Sequence, residues 1–177
     1  MELFWANGYE ATGVSELLDH MGIQRQSFYN TFQSKERVFV EAVELYCSNM
    51  FSKVKQCLDG PGNPLENIES VFKLWEGLAK GHPGCGCLVG NSVAEFGASE
   101  KKISDVLKTN LQRLEEALCG AFKEAVDKGY LPAERNPRAL ARTMVTLGQG
   151  MALLSKTGMS EQAQRDVMET TQRALLT

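Results

Sequence analysis

Residues 22–32 read GIQRQSFYNTF, and this stretch decides the fold because it predicts a short helix with two different faces. Phe28 and Phe32 are four residues apart, with Tyr29 beside them, which gives a predicted helix over residues 24–31 one apolar side. Arg25 and Gln26 then point away from that side. We expect the aromatic side to pack on a neighbouring helix and the polar side to be presented to a partner.

The segment before this stretch supplies the neighbouring helix. It is predicted to begin at Thr12, which can cap it, and to end at Gly22. Its apolar residues have the i, i+3, i+4, i+7 spacing of an amphipathic helix: Val14, Leu17, Leu18 and Met21. Two short helices joined by a glycine-containing turn form a helix-turn-helix, whose second helix fits the major groove of B-form DNA.

The second helix of this pair would carry the DNA contacts. Because the N-terminal residues of such a helix lie deepest in the groove, Gln24, Arg25 and Gln26 are predicted to contact base edges. Arginine can pair with guanine, and glutamine with adenine, through two hydrogen bonds each. The remaining polar side chains are predicted to contact the sugar–phosphate backbone: Ser27, Tyr29 and Asn30.

Helix signals recur through the rest of the chain and strand signals are nearly absent, which predicts an all-α fold. The turn-forming run DGPGNP at residues 59–64 is the clearest break. Further helices are predicted to start at caps, namely Ser34, Asn63, Asn136 and Ser160, and a long helix is predicted over residues 99–129. We expect a three-helix N-terminal domain over residues 1–46, with a truncated first helix, and a larger helical domain over residues 47–177.

Length, charge and cysteine content narrow the class of protein. A chain of 177 residues with 43% hydrophobic and 23% charged residues is typical of a globular protein, and no apolar run is long enough to span a bilayer. The five cysteines lack the density of a disulfide-rich secreted domain and the N-terminus lacks a secretory signal, so we expect a cytoplasmic protein. The net charge of −3 counts against nucleic-acid binding, which normally rests on a surplus of Lys and Arg.

Residues 3–39, LFWANGYEATGVSELLDHMGIQRQSFYNTFQSKERVF, resemble the DNA-binding module of the tetracycline-repressor (TetR) family of transcriptional regulators. An ordered set of motifs carries the resemblance: Gly8-Tyr9, Ala11-Thr12, Leu17-Leu18, Gly22-Ile23, Ser27-Phe28-Tyr29, Phe32 and Ser34-Lys35-Glu36. The resemblance implies a homodimer that binds double-stranded operator DNA, with a small effector bound by the C-terminal domain and a dimer interface formed by the last two helices. The expected function is a repressor that its effector releases from a palindromic operator.

Carried over to this sequence, the resemblance assigns Thr12, Tyr29 and Lys35 to phosphate contacts and residues 24–27 to the operator bases. Two positions depart from the family pattern, because Gln24 stands where Ser or Thr usually caps the helix and Gln26 stands where a small residue is common. We expect a weaker cap and a shifted base preference. The first helix ends within two turns of Met1, so further sequence is expected before that residue.

The C-terminal part contains two candidate sets of apolar residues, and either set could instead be ordinary core. Residues spaced alternately by four and three form a predicted dimer seam: Leu140, Met144, Leu147, Met151, Leu154 and, in the last helix, Val167. A second, mainly apolar set could line an effector cavity: Phe72, Trp75, Cys87, Phe96, Phe122 and Met144, with the amide of Asn91 as a possible polar contact. No titratable cluster marks a ligand charge, so we expect a largely apolar effector and no cofactor.

His82, Cys85 and Cys87 allow four interpretations: a metal site, a sensor thiol, a buried structural thiol and a thiol-dependent enzyme. A metal site would normally need four ligands, and this segment supplies three. Cys87 stands at a predicted helix start, where the helix dipole favours a reactive thiolate, so it could sense electrophiles or oxidants; a buried structural thiol is the other interpretation. A thiol-dependent enzyme would also need an orienting group and an oxyanion site, for which no signal is present. A helical adaptor is the remaining alternative, and we expect a regulator that is not an enzyme.

Overall fold

The computed structural model describes residues 1–82, 84–97 and 99–177, and every regular element within these ranges is an α-helix. This confirms the predicted fold class. Pro83, in the predicted segment between His82 and Cys87, lies outside the described residues. The helices of the described residues are α1 (Glu2–Asn7), α2 (Val14–Met21), α3 (Arg25–Phe32), α4 (Lys35–Leu58), α5 (Pro64–Gly81), α6 (Leu88–Phe96), α7 (Lys101–Asp127), α8 (Pro137–Ser155) and α9 (Glu161–Leu176). None of them is both long and apolar enough to cross a membrane.

Capping side chains start several helices where the sequence predicts them. The Asn63 carboxamide oxygen accepts hydrogen bonds from the Leu65 and Glu66 amides at 2.9 and 3.1 Å, and the Glu66 carboxylate accepts from the Asn63 amide at 3.0 Å. This reciprocal capping box precedes Pro64, the first residue of α5. Asn136 and Ser160 cap α8 and α9 with their side-chain oxygens. Such a cap contributes about 1 kcal/mol to stability, because it satisfies amides that have no partner inside the helix.

The chain forms two compact units. The first consists of Met1–Asn49 and Cys87–Asn110, and the second consists of Met50–Gly86 and Leu111–Thr177. The sequence predicts a boundary at residue 46 and predicts that residues 87–110 belong to the larger domain. The difference arises because α6 packs in the unit that contains the helix-turn-helix, a contact between segments far apart in sequence.

A cluster of aromatic rings forms the centre of the first unit. Phe39 of α4 lies with its ring centroid 5.1 Å from those of Phe4 and Tyr9, and 5.4 Å from that of Phe96 in α6. The rings of Tyr9 and Phe96 are 5.2 Å apart. Each such pair adds about 0.5–1.5 kcal/mol beyond simple burial. The cluster therefore fixes α1, α4 and α6 around the turn that follows α1.

The core of the second unit draws on α4, α5, α7, α8 and α9, and α5 packs against both α8 and α9. At Gly148 the backbone of α8 meets the Trp75 ring so closely that an added Cβ would lie 2.9 Å from it. The buried residues of this core are Val54, Ile68, Val71, Phe72, Leu118, Phe122, Ala125, Leu131, Leu140, Ala141, Met144 and Leu175.

Candidate nucleic-acid interface

The α3 helix turns Phe28 and Phe32 inward as the sequence predicts, whereas Tyr29 is exposed together with the polar side chains. Phe28 is fully buried, and its ring centroid lies 5.6 Å from that of the partly buried Phe32. The side chains predicted to contact DNA from this segment are all exposed: Gln24, Arg25, Gln26, Ser27, Tyr29 and Asn30. The buried rings anchor the helix, so its polar side is presented to solvent on a fixed support.

The turn between α2 and α3 depends on a glycine. Gly22 has φ +64° and ψ +31°, a left-handed conformation that costs other residues energy. Its amide donates to the Asp19 carbonyl at 3.3 Å, and the Ile23 amide donates to the Leu18 carbonyl at 3.2 Å. These bonds satisfy carbonyls at the end of α2 and set the angle at which α3 departs.

The start of α3 suits an anion. Gln24 is the N-cap residue, and its side chain makes no capping hydrogen bond, in agreement with the weak cap expected from glutamine. No acidic residue occupies the first turn of the helix. The amides of that turn and the positive end of the helix dipole therefore favour a phosphate group nearby.

Two predictions for Thr12 are wrong. Gly13, not Thr12, is the N-cap residue of α2. Thr12 is fully buried, and its hydroxyl donates to the Gly8 carbonyl at 2.7 Å, so the side chain cannot reach a phosphate in this arrangement. The Thr12 side chain has a structural role, because its hydroxyl links Thr12 to Gly8 across the turn after α1.

Lys35 also holds this turn. Its ammonium donates to the carbonyls of Tyr9 and Thr12 at 3.0 and 3.2 Å and lies 4.0 Å from the centre of the Tyr9 ring. Two of its three N–H donors are thus used inside the protein, and one is left for a phosphate. The predicted phosphate contact of Lys35 stays a prediction, and the structure adds a role that the sequence did not indicate.

Glu95 holds the same turn from α6. Its carboxylate oxygens accept hydrogen bonds from the backbone amides of Tyr9 at 3.0 Å and Glu10 at 2.8 Å. A Cβ at Gly8 would lie 3.1 Å from this carboxylate, and Gly8 itself has φ +83°, so glycine fits here for two reasons. The sequence does not predict this role for Glu95, because 86 and 85 residues separate it from the two amides and nothing in the local pattern points to them.

Tyr9 sits between these charges. Burial raises the pKa of its phenol above the ordinary value, and the negative charges of Glu36, Glu10, Glu100 and Glu95 raise that pKa further. The phenol is therefore protonated at neutral pH. Its ring contributes packing and a face for the Lys35 ammonium rather than a charge.

Gln26 and Asn30 form a pair on the exposed side of α3. The Gln26 side-chain nitrogen Nε2 donates to the Asn30 oxygen Oδ1 at 2.9 Å. Residues four apart in a helix face each other, so the pair is compatible with regular helical geometry. It links a residue predicted to contact bases with one predicted to contact the backbone of DNA.

Cys87 lies against α4. It is the N-cap residue of α6, and its side chain lies close enough to Tyr46 to affect the pKa of the phenol. Burial, and next the contact with Cys87, raise the pKa of the Tyr46 phenol well above its ordinary value, so the phenol is neutral. The role of Cys87 as a sensor stays a prediction, and none of these contacts specifically supports it.

The residues predicted to line an effector cavity fall into two groups. Phe72, Phe122 and Met144 are fully buried in the core of the second unit, and Trp75 packs against that core. The others belong to the first unit: Cys87, Asn91 and Phe96. Phe96 is part of the aromatic cluster, and its predicted contact with an effector stays a prediction.

The predicted dimer seam on α8 also divides. Leu140 and Met144 are 7% and 0% exposed because they face the core of the second unit, so their assignment to a dimer interface is wrong. Leu154 is 46% exposed, and so is its neighbour Leu153, at 49%, which is not among the predicted interface residues. The remaining members are partly buried and stay candidates: Leu147, Met151 and Val167.

Within the described ranges, no three His, Cys, Asp or Glu side chains come close enough together to hold a metal ion. This finding covers His82, Cys85 and Cys87.

The charged and polar groups described above for the first unit lie around the turn after α1 and on α3. This arrangement can present hydrogen-bond donors and acceptors to a groove.

Comparison with known proteins agrees with this geometry. Residues 1–42 match the family described as bacterial regulatory proteins of the tetR family, and residues 64–171 match the tetracyclin repressor-like C-terminal domain. The HTH-type transcriptional regulator YezE of Bacillus subtilis is 32% identical over 146 residues, which cover 80% of this chain and 74% of that protein. The HTH-type transcriptional repressor ComR of Escherichia coli is 24% identical over 176 residues, covering 98% of this chain and 83% of ComR.

A solved structure gives the same result for the whole fold. The crystal structure of a regulatory protein TetR from Rhodobacter sphaeroides superposes with a TM-score of 0.88 at 27% identity, and the match covers 97% of this chain and 92% of that one. The two family models together account for both the helix-turn-helix and the C-terminal helices. This chain belongs to the TetR family of DNA-binding transcriptional regulators.

Proposed function

We propose that the chain is a one-component repressor that binds a palindromic operator as a homodimer and is released by a small effector. The observation that carries this proposal is the exposed polar side of α3, from Gln24 to Asn30, held on the fully buried Phe28. The relative ComR is named a transcriptional repressor, which supports repression rather than activation as the proposed effect on transcription. As a DNA-binding regulator the protein would act in the cytoplasm.

In this proposal Arg25 and the two flanking glutamines read base edges, while Tyr29 and the remaining N–H of Lys35 contact phosphates. A helix-turn-helix dimer reads two half-sites one helical turn apart, about 34–36 Å, so the two copies of α3 must be held by a two-fold interface. The exposed Leu153 and Leu154 on α8 support that interface. Gly150 supports it as well, because nothing lies within 4 Å of its absent Cβ and a partner helix could approach closely there.

The effector is proposed to bind in the second unit and to be largely apolar, because Phe72, Trp75, Phe122 and Met144 belong to an apolar interior there. It must bind two states of the dimer with unequal affinity, since a ligand that binds both equally shifts no equilibrium. The state that it favours would place the two copies of α3 at a spacing that no longer fits the operator.

The test is a titration of a fluorescent duplex, taken from the DNA upstream of the chain's own gene, measured by anisotropy at two salt concentrations. Arg25→Ala is compared with Lys73→Ala, which removes a charge of the same sign from an exposed position of α5. We expect Arg25→Ala to lower operator affinity about 5- to 150-fold, as for loss of one bidentate base contact, and Lys73→Ala to bind as the wild type does. Equal behaviour of the two variants, or no sequence-selective binding, would contradict the proposal and favour a helical adaptor.

A further inference from the structure

We propose that Asn30 is a positioning residue that orients the Gln26 side chain to read adenine. The proposal rests on the proposed function, since it assumes that α3 enters the major groove. It changes the role predicted for Asn30 from contact with the sugar–phosphate backbone to control of base specificity. The observation behind it is the hydrogen bond of 2.9 Å from Gln26 Nε2 to Asn30 Oδ1.

The hydrogen bond decides which groups Gln26 can offer. A glutamine side chain has one carbonyl acceptor and two N–H donors. One donor is used on Asn30, so the carbonyl oxygen Oε1 and the second N–H remain, side by side in the plane of the amide. Rotating the Gln26 amide alone by half a turn would bring Oε1 against Asn30 Oδ1, two acceptors that repel each other. Rotating both amides together would keep one hydrogen bond, from Asn30 Nδ2 to Gln26 Oε1, and would still leave an acceptor lone pair and an N–H side by side on Gln26. In either arrangement Asn30 holds the plane of the Gln26 amide.

An acceptor beside a donor is the pattern that adenine complements. In the major groove, adenine presents the N6 amino donor next to the N7 acceptor, whereas guanine presents two acceptors, N7 and O6. Gln26 Oε1 can accept from N6, and the remaining N–H can donate to N7. Guanine would place its O6 acceptor against Gln26 Oε1. The orientation fixed by Asn30 thus favours adenine and disfavours guanine at the same position.

Position and exposure make this arrangement usable. Gln26 is the second residue of α3 and lies at the end that enters a groove most deeply, while Asn30 lies one turn further along the helix. Both side chains are exposed. Asn30 can therefore support Gln26 from behind without occupying the base edge itself.

The experiment selects duplexes from a pool with a randomised centre, using the full chain and three variants: Gln26→Ala, Asn30→Leu and Asn30→Asp. The wild type should enrich a two-fold motif with adenine at one position of each half-site. Replacing that adenine by 7-deaza-adenine, which lacks the N7 acceptor, should lower wild-type affinity and should leave Gln26→Ala unaffected.

Asn30→Leu removes the acceptor and should lower the preference for adenine over guanine at that position by about twofold, the size of one such side-chain pair on a helix. Asn30→Asp keeps an acceptor, so it should keep the preference even though its charge weakens binding to all sequences. Thr31→Val, at another exposed position of α3, is the matched control and should leave every preference unchanged. Circular dichroism establishes that each variant retains its helices.

The outcomes separate two failures. An enriched motif whose adenine preference survives Asn30→Leu, with affinity lowered equally for all sequences, would show that Asn30 only contacts phosphate and would overturn this inference alone. A wild-type motif without adenine at a Gln26-dependent position would also overturn it. If no motif is enriched, the proposed function fails, and this inference fails with it.

Discussion

Replacing Glu95 by alanine should weaken operator binding, although simple electrostatics predicts the reverse. Loss of one carboxylate changes the net charge of the chain from −3 to −2, which by itself favours binding to a polyanion. The structure predicts weaker binding because Glu95 accepts hydrogen bonds from the Tyr9 and Glu10 amides and so fixes the turn that leads into the helix-turn-helix. The sign of the change therefore distinguishes the two arguments.

The magnitude follows from the two hydrogen bonds. A hydrogen bond to a charged group contributes about 1.5–3 kcal/mol to stability when water is excluded from it. Glu95 is exposed, so water competes for its carboxylate oxygens. We therefore assign about 1–2 kcal/mol to the pair together. If DNA binding requires the fixed turn, operator affinity should fall about 5- to 30-fold in Glu95→Ala. Glu95→Gln keeps one carbonyl acceptor without the charge and should lose less.

Anisotropy titrations with one operator duplex at fixed salt measure the effect. Glu44→Ala is the matched control, because it removes an exposed carboxylate from α4 and should bind as tightly as the wild type. Far-UV circular dichroism checks that the helices remain formed. If Glu95→Ala binds the operator as tightly as Glu44→Ala or more tightly, the proposed role of this carboxylate is refuted.

Two further predictions concern the second unit. Gly148→Ala should lower the free energy of unfolding by about 1–3 kcal/mol, because the new Cβ would lie 2.9 Å from the Trp75 ring. Thermal unfolding should then show a lower midpoint. Gly120→Ala is the control: nothing lies within 4 Å of its new Cβ, so its midpoint should equal or exceed that of the wild type. In Leu154→Glu, the molar mass measured by light scattering should fall towards the 19.5 kDa of a monomer. The reason is that the substitution puts a charge at an exposed position of the proposed dimer interface. Gln112→Glu adds the same charge on α7 and should leave the mass unchanged; a dimeric Leu154→Glu would exclude that residue from the interface.

The sequence by itself determined the helices and the in–out pattern of α3. These features depend on interactions within a few residues, such as the Asn63 capping box, the left-handed Gly22 and the spacing of Phe28 and Phe32. Such interactions recur wherever the same short pattern occurs. The starts of α5, α8 and α9 could therefore be predicted without knowledge of the rest of the molecule.

Only the tertiary structure decided which surface covers each apolar or polar residue. Periodicity shows that Leu140 and Met144 lie on an apolar side of α8, but it does not show that this side faces the core of their own unit. Likewise nothing near Thr12 or Glu95 in the sequence indicates a buried hydroxyl, or a carboxylate that binds amides 86 and 85 residues away. The physical reason is that local patterns fix the conformation of a segment, whereas its partners are fixed by how distant segments pack.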